Sequence, residues 1–412
     1  MFFYVGIDLS DKFFDSCITN SFGDVISRNR FDFNDNGFSD LVCKLQEYGA
    51  DSKNCAISFE NPRARLADFL IQREFTVLLI NPKSIARYRE SRIASKAKSD
   101  QGDAQLIADY IREHHRSLRC IKIPDETIRE LSLLLEDRDR LVQQKVRFSN
   151  QLTSTLKEYF PQALSMFSCI TNRSALEFLK RVDTFAQLKS IASGSTAEIE
   201  QLLEDCGINR SDSRERFYSV MKKPVSQVSL AVIRAKVRLK NTILNQLILL
   251  IEHIAGYEEQ IQQIMDDIPN GNLFRSLPGA DYILAGKLMV LYNSRDFRSA
   301  NEVQCLCGTA PYTIRSGQSK TVRFRKGCNK FGRKTFHQLA FSSLRGCQWS
   351  KKRLSQKRQE GKGLHHSLRC LANSWVKVTF AMWRDKTPYD ESKYLVSVAS
   401  HIINQPASVL GG

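Results

Sequence analysis

Long apolar runs are missing from this 412-residue chain. The longest candidates are interrupted by Asn, Gln or Lys before they reach the roughly 18 residues of a membrane helix, so a membrane span is excluded. Met1 to Asp8 lack a basic segment and already contain an acid, so we expect no secretory signal. The eleven cysteines form no CxxC pair. This favours a reduced, cytosolic chain that uses cysteine as a small apolar residue rather than in metal or disulfide sites.

Acidic residues are almost missing from the C-terminal part of the chain. Between Tyr312 and Lys386 there are 19 Lys or Arg and only 2 acids, Glu360 and Asp385. This excess equals the net charge of the whole chain, +17, so all other residues together are balanced. The location of the charge predicts a polyanionic partner for this stretch. A hydrophobic content of 42% with 25% charged residues is that of a globular protein and argues against disorder.

The N-terminal part predicts a mixed α/β sheet. Three strand-like runs, Phe2 to Leu9, Phe13 to Asn20 and Asp24 to Phe33, are separated by hairpin-length turns, which indicates antiparallel pairing. Alternating helices and strands follow, at Phe38 to Tyr48, Cys55 to Phe59, Pro62 to Gln72 and Phe75 to Ile80, and a helix is predicted from Asp100 to His114. This order of elements is that of a ribonuclease H-like fold with helices on both faces of the sheet.

Two long amphipathic helices are predicted in the middle of the chain. Apolar residues recur at helical spacings from Thr127 to Tyr159, and at heptad-like steps of four and three from Ile233 to Ile268. We interpret the two as an antiparallel helical arm or coiled-coil dimerisation element. The alternative is two helices packed within one globular core. Between them, Pro161 to Pro224 has the pattern of a small helical insertion.

We therefore divide the chain into three parts. Residues 1–118 form the ribonuclease H-like domain, residues 119–268 the coiled-coil arm with its insertion at 161–224, and residues 269–412 a mostly helical, basic domain. In the last part, Arg315 to Arg325 is predicted to be a loop or hairpin. An amphipathic helix from Arg333 to Leu344 and a final helix from Leu364 to Trp383 follow.

Four acids of the first domain are the strongest candidates for a catalytic site. Asp8 lies in an apolar strand, where an unpaired carboxylate is costly. Glu60 ends a strand that can lie beside the first, and Asp100 and Asp103 share one face at a helix start. Converging carboxylates need a divalent cation, and their oxygens suit Mg²⁺, with Mn²⁺ as a substitute. Two such ions could clamp the attacking and leaving oxygens of a phosphodiester. Alternatively, Asp100 and Asp103 are helix caps and Glu60 is a surface acid.

Basic residues without neighbouring acids predict a second kind of site. We expect the following residues to contact nucleic-acid phosphates: Arg315, Lys320, Arg323, Arg325, Lys326, Lys330, Arg333 and Lys334, with Lys98 in a smaller patch beside the acids. The alternative is a solvated basic face that binds nothing in particular. Nothing in this composition distinguishes RNA from DNA.

Short motifs at both ends of the chain resemble those of a known family. They are Val5-Gly6-Ile7-Asp8-Leu9-Ser10, Phe59-Glu60, Asn81-Pro82-Lys83, Lys98-Ser99-Asp100-Gln101-Gly102-Asp103-Ala104, Leu277-Pro278-Gly279, Phe297-Arg298-Ser299-Ala300, Gly308-Thr309-Ala310-Pro311, Ser316-Gly317-Gln318-Ser319-Lys320 and Gly332-Arg333. In content and order they are similar to the DEDD-type transposases of bacterial insertion sequences, the insertion-sequence 110 family, which includes the pilin-gene invertases. The resemblance covers nearly the whole chain except the segment from Pro161 to Pro224.

The resemblance implies a mechanism. It implies a RuvC-like first domain whose metal-binding tetrad maps onto Asp8, Glu60, Asp100 and Asp103, and a transposase domain whose nucleophilic serine maps onto Ser316. A serine hydroxyl needs activation and a held phosphate, which the surrounding basic residues would supply. Ser319, in the same loop, is the alternative nucleophile. The resemblance also implies a structured guide RNA, donor and target double-stranded DNA, a homo-oligomer (dimer or tetramer), and a cytoplasmic, nucleoid-associated bacterial protein.

Three functions remain open on the sequence alone. The first is a transposase or site-specific recombinase, or a DNA invertase, that works through a serine–DNA intermediate. The second is a Mg²⁺-dependent nuclease resembling a Holliday-junction resolvase, in which water replaces the serine. The third is a non-catalytic nucleic-acid-binding protein whose acids are structural.

Overall fold

The structure is a computed structural model that describes residues 1–59, 64–92, 100–121, 125–224, 228–317 and 319–392; for Ala64, Asp100, Gln101 and Thr196 it describes the backbone only. The chain divides into two compact units, Met1–Glu126 and Thr127–Gly412. Across these described ranges, no helix is both long and apolar enough to cross a membrane. All eleven cysteines are free thiols, and five of them are buried.

The first unit alternates strands and helices. Its elements are β1 (Phe3–Leu9), β2 (Phe13–Asn20), β3 (Val25–Asp32), α1 (Asp35–Glu47), β4 (Cys55–Phe59), α2 (Ala64–Gln72), β5 (Thr76–Leu79), α3 (Pro82–Arg92), α4 (Asp100–His114), a 3₁₀ turn (His115–Ser117) and β6 (Arg119–Cys120). The described strands form one sheet in the order β3-β2-β1-β4-β5-β6. The mixed sheet predicted from the sequence is confirmed.

Strand pairing in this sheet follows the connections. The hairpin-linked strands β1, β2 and β3 pair antiparallel, whereas β1–β4 and β4–β5 are parallel pairs joined through helices. The expectation that Cys55–Phe59 lies beside the first strand is therefore confirmed, with Ile7 paired to Phe59. The short edge strand β6 pairs antiparallel with β5. Neither β6 nor α3 was predicted, because β6 has only two residues and α3 contains a single buried residue, Ile85.

Helices cover both faces of the sheet. On one face, alternate residues of β1 (Phe3, Val5 and Ile7) pack with α1 and α2 in one hydrophobic cluster. On the other face, Tyr4 belongs to a second cluster that includes residues of α3 and α4. Side-chain alternation along a strand explains this division.

Gly6 allows α4 to lie directly on the sheet. A Cβ atom at this position would be 2.0 Å from the carbonyl oxygen of Ala104 and 2.4 Å from the backbone nitrogen of Ala108. At the other end of the helix, the Tyr4 hydroxyl lies 3.3 Å from Nδ1 of His115. The helix therefore runs opposite to β1, so its first turn lies at the end of the strand where Asp8 is found.

The second unit is mostly helical. Its elements are α5 (Glu126–Tyr159), α6 (Pro161–Met166), α7 (Arg173–Arg181), α8 (Phe185–Gly194), α9 (Thr196–Asp205), α10 (Ser211–Met221), α11 (Leu230–Asp267), α12 (Tyr282–Asn293), α13 (Ala300–Cys307), β7 (Tyr312–Ser316), β8 (Ser319–Arg323), α14 (Lys330–Ser342), α15 (Gln348–Gln359) and α16 (Leu364–Asp385), with 3₁₀ turns at Leu273–Ser276 and Ser343–Arg345. The helix α15 was not predicted, since its 12 residues include only two buried ones, Trp349 and Ser350.

The long helices α5 and α11 run antiparallel and join two separate cores. One core combines Leu131 of α5 and Ile261 of α11 with α12, α14 and α16. The other combines the opposite ends of the two helices with α6, α7 and α10. Between the cores, Arg138 donates to Glu258 across the pair at 2.5 to 3.0 Å. The two amphipathic helices and the helical insertion between them are thus as the sequence predicted.

Inside the second core, one ammonium group is fully buried. Lys240 of α11 donates to the Leu179 carbonyl at 2.5 Å and to the Asp183 carboxylate at 2.8 Å. Burial lowers the pKa of Lys240, and the contact with Asp183 opposes that shift. This contact ties the insertion to the long helix, since Leu179 and Asp183 lie at the end of α7 and just after it.

Candidate active site and nucleic-acid interface

Asp8 lies at the C-terminal end of β1. Two residues from Gly6, it points to the same face of the sheet, the face covered by α4. Its side chain is half-buried. In the antiparallel pairing of β1 and β2, Asp8 is directly opposite Asp15, so both acids lie in one row across the sheet.

Asp15 is a second acid of this sheet, one that the sequence analysis did not single out. It is only 2% exposed, and its two carboxylate oxygens accept hydrogen bonds from Nε and Nη2 of Arg30 at 3.0 and 2.8 Å. Arg30 in turn stacks on the Phe13 ring at 3.9 Å. The sequence pattern that could have indicated Asp15 is the one that indicated Asp8, namely an acid that follows apolar residues in a strand, here Phe13-Phe14-Asp15. The Arg30 pair neutralises this second carboxylate in the row.

Asp103 lies in the first turn of α4, at the same end of the sheet as Asp8. It forms an ion pair with Arg89 of α3 at 2.8 Å, and both side chains are about four-fifths buried. Nε of Arg89 is buried without a hydrogen-bond partner in the described part of the chain. A metal ion at Asp103 would therefore compete with a guanidinium that already holds the carboxylate.

The other two predicted acids cannot be placed in the same way. Glu60 lies outside the described residues, directly after the end of β4, and of Asp100 only the backbone is described, as the first residue of α4. Among described side chains, no group of three or more His, Cys, Asp or Glu forms a metal-binding cluster. The carboxylate oxygens of Asp8 and Asp103, at one end of one sheet, are the type of donor that Mg²⁺ prefers. This part of the donor set fits the ion.

Ser316 and Ser319 face each other at the tip of a two-stranded ribbon. They are the last pair in the antiparallel register of β7 and β8, and every residue of both strands is exposed. Gly317, directly after Ser316, has φ +55°, a left-handed conformation that glycine adopts without strain. The predicted basic hairpin is confirmed, and the serine residues form the last strand pair before its tip.

The register divides the basic residues of the ribbon between its two faces. Opposed residues in an antiparallel pair point to the same side. Arg323, opposite Tyr312, therefore shares a face with Ser316, whereas Arg315 and Lys320, which oppose each other, lie on the other face. Of the basic ribbon residues expected around Ser316, Arg323 is the one on the same face of the ribbon as the Ser316 side chain.

The remaining predicted basic residues continue from the ribbon into α14. Arg325 is half-buried and Lys326 exposed in the connection, and Lys330, Arg333 and Lys334 belong to the first turns of the helix. Lys98 lies outside the described residues. The C-terminal basic residues thus follow one another along the chain from the ribbon to the start of α14.

Comparison with known proteins identifies the family to which the chain is similar. A family model for DEDD transposases of the insertion-sequence 110 type matches residues 5–161, and a model described as "Transposase IS116/IS110/IS902 family" matches residues 271–355. Together the two models match more than half of the chain. The first contains most of β1, the whole of α4 and the predicted acids, and the second contains the ribbon with Ser316.

Curated relatives agree with these matches. The chain is 23% identical over 399 residues to the "Mini-circle putative transposase for IS117" of Streptomyces coelicolor, covering 95% of this chain and 96% of that protein. It is 24% identical over 307 residues to the "Insertion element IS110 uncharacterized 43.6 kDa protein" of the same species, covering 72% and 73%. It is 19% identical over 319 residues to the "Transposase for insertion sequence element IS1111A" of Coxiella burnetii, covering 76% and 72%.

The fold and the matches define the chain as a transposase. It belongs to the insertion-sequence 110 family, whose two domains it carries in the same chain order. The resemblance noted from the short motifs is confirmed, and membership implies an enzyme that cuts DNA and transfers the cut strands.

Proposed function

We propose that this transposase cuts and rejoins DNA strands through a covalent link between Ser316 and a DNA phosphate. The serine oxygen bonds to phosphorus while the bond from phosphorus to the leaving sugar oxygen breaks, so the number of phosphodiester bonds is conserved. Strand rejoining reverses the exchange and needs no external energy source. The observation that carries the proposal is the exposed pair Ser316–Ser319 at the tip of a basic ribbon, inside the region matched by the transposase family model.

We propose that Asp8, Glu60, Asp100 and Asp103 form the metal site of this reaction. The common position of Asp8 and the first turn of α4 at one end of the sheet supports the assignment. Bound there, Mg²⁺ or Mn²⁺ would neutralise the negative charge that develops on the reacting phosphate. The protein would hold the carboxylates together at one edge of the sheet, and the close packing of α4 on Gly6 would keep their positions fixed.

Several features support the proposed partners. The stretch from Tyr312 to Lys386 has the charge to bind donor and target double-stranded DNA. Apolar side chains of the long helices that are 53–55% exposed, Leu133, Val146 and Leu249, support a coiled-coil arm through which copies of the chain form a dimer or tetramer. A structured guide RNA rests on family membership alone. We place the reaction in the bacterial cytoplasm, at the nucleoid, and keep the domain division 1–118, 119–268 and 269–412.

The experiment that tests the proposal is covalent trapping. Purified full-length protein is incubated with Mg²⁺ and labelled DNA from the ends of its own element, with the RNA that copurifies with it, and covalent protein–DNA adducts are separated on a denaturing gel. We expect adducts with the unmodified protein and none with Ser316→Ala, because no other atom replaces the nucleophile. Ser319→Ala is the matched control and should retain them.

Two further results separate the alternatives. Asp8→Asn should abolish both cleavage and adducts while DNA binding persists, since the carboxylate charge is lost but the basic surface is intact. DNA cleaved by Ser316→Ala, with no adduct at any time, would instead identify a hydrolytic nuclease of the junction-resolvase kind. An adduct that persists in Ser316→Ala and vanishes in Ser319→Ala would move the nucleophile to Ser319.

A further inference from the structure

A cleft lies at the base of the ribbon, away from its serine tip. It has a volume of about 620 Å³ and is lined by Tyr312, Arg323, Phe324, Arg325, Lys326 and Gly327. Three of these residues are cationic and two are aromatic, and none is acidic. The Tyr312 and Phe324 side chains remain 37% and 39% exposed, so the rings are accessible from solution.

Several guanidinium groups lie over the aromatic rings. The guanidinium carbons of Arg333 and Arg369 lie 4.4 and 4.8 Å from the centroid of the Phe324 ring, and that of Arg325 lies 5.9 Å from the Tyr312 ring. Burial lowers the pKa of His337, one turn along α14 from Arg333, and the nearby charges of Arg369 and Arg333 lower it further. The surroundings of Phe324 are thus unusually rich in positive charge.

Among the described residues, none of these arginines is paired with an acid of the stretch from Tyr312 to Lys386. The two acids between Tyr312 and Lys386 are engaged elsewhere, Glu360 with Lys357 and Lys362, and Asp385 with Arg384. Within the described residues, Nε of Arg325, Nε of Arg333 and Nε2 of His337 are buried without a hydrogen-bond partner. Nε2 of His337 donates or accepts according to its tautomer, but each arginine Nε–H is a donor, and a buried donor is costly unless a ligand or water satisfies it. An anion would satisfy these arginine donors.

The aromatic rings indicate which kind of anion would fit the cleft. A free phosphate would satisfy the arginines but leave Tyr312 and Phe324 unused. A nucleotide supplies both parts, because its phosphate pairs with guanidinium groups and its base stacks on an aromatic face. Bases in a duplex are stacked on each other and cannot stack on a side chain, so the nucleotide must be unpaired.

We propose that this cleft binds one unpaired nucleotide of a nucleic-acid strand, with its phosphate held by Arg325 and its base stacked on Tyr312 or Phe324. Tyr312 shares a face of the ribbon with Ser316, four residues away, which corresponds to about 13 Å along the strand. A strand anchored in the cleft would continue along that face towards the serine. This last step rests on the function proposed above; binding in the cleft does not.

Binding without divalent metal tests the proposal independently of catalysis. The full-length protein is titrated, in the presence of EDTA, with fluorescent single-stranded DNA, single-stranded RNA of the same sequence, and the duplex, and fluorescence anisotropy gives the three dissociation constants. The variants are Tyr312→Leu and Phe324→Leu. Phe341→Leu is the matched control, because Phe341 is also an exposed aromatic residue of this unit, 61% exposed, and lies outside the cleft.

We expect each cleft variant to weaken single-strand binding by about fivefold or more, the effect of losing one stacked base, while duplex binding changes by less than about twofold. The DNA and RNA titrations show which strand the cleft takes. Arg325→Gln should also reduce the salt dependence of single-strand binding by about 0.7 in log–log slope, with Lys352→Gln on α15 as the control.

Two results would overturn the proposal. One is a loss of single-strand binding no larger than that of Phe341→Leu. The other is an equal loss for single strands and duplex, which would indicate a backbone contact without a base. If Phe324→Leu alters the circular dichroism or the melting temperature, Tyr312→Leu decides, since Tyr312 lies on an exposed strand.

Discussion

Gly6→Ala should displace the helix that carries half of the proposed metal site. The new Cβ would be 2.0 Å from the Ala104 oxygen and 2.4 Å from the Ala108 nitrogen, whereas ordinary contacts begin near 3.4 Å. Both neighbours are helix backbone and cannot rotate away, so α4 must move by about 1.4 Å. Overpacking of this kind costs about 1–3 kcal/mol, and we expect the upper end of that range.

The displacement should affect the reaction more than the stability. Asp8 is on β1 and Asp100 and Asp103 are on α4, so a shift of the helix changes the spacing of the proposed ligands directly. Misplacement of reacting groups by about 1 Å can cost about 100-fold in rate. We therefore expect Gly6→Ala to lower the cleavage rate by about 100-fold or more.

The assays are urea unfolding, hydrogen exchange of the α4 amides, and DNA cleavage. The control is Gly256→Ala in α11, where a Cβ would meet no atom within 4 Å. Alanine is the better helix former by about 1 kcal/mol, so this control should be slightly stabilising and fully active. Gly6→Ala with unchanged α4 protection and unchanged cleavage would refute the packing argument.

Two further predictions follow from charged groups. Arg89→Met should tighten Mn²⁺ binding by up to about tenfold, because the guanidinium no longer competes with the ion for Asp103. Calorimetry without DNA measures this affinity. Weaker binding by the variant would show that Arg89 instead positions the carboxylate. The pKa of His337 is lowered below 6.5, mainly by burial and further by the charges of Arg369, Arg333 and His365. As the pH falls through 6.5, the unfolded chain therefore takes up a proton before the folded chain does. The free energy of unfolding decreases as a result. His337→Gln should reduce that decrease between about pH 7.5 and 5.5 in urea unfolding, and an identical pH dependence would contradict the assignment.

Much of the fold could be predicted because its signals are local. The hairpin turns after Leu9 and Asn20 and the buried runs of β4 and β5 determine their own secondary structure and their order in the sheet. The helix α3 was missed because it has one buried residue and a polar, basic sequence, so tertiary contacts rather than periodicity hold it. The same reason applies to α15.

Side-chain partners lie beyond what a sequence pattern predicts. The pairing of Asp15 with Arg30, and of Asp103 with Arg89, depends on which residues the sheet register and helix packing bring together. The basic residues around Ser316 were predicted as one group, but alternation along the ribbon divides them between two faces. The contact of Arg369 with the Phe324 ring was missed because Arg369 belongs to a helix distant in sequence.

Peptide mapping of the trapped adduct tests the central claim most directly. Protein incubated with Mg²⁺, copurifying RNA and its element's DNA is digested with nuclease and protease, and the peptides are sequenced by mass spectrometry. We predict a nucleotide attached through phosphate to Ser316, within the tip of the ribbon. Cleaved DNA with free ends and an unmodified Ser316 peptide, or a nucleotide attached to a different residue, would contradict it.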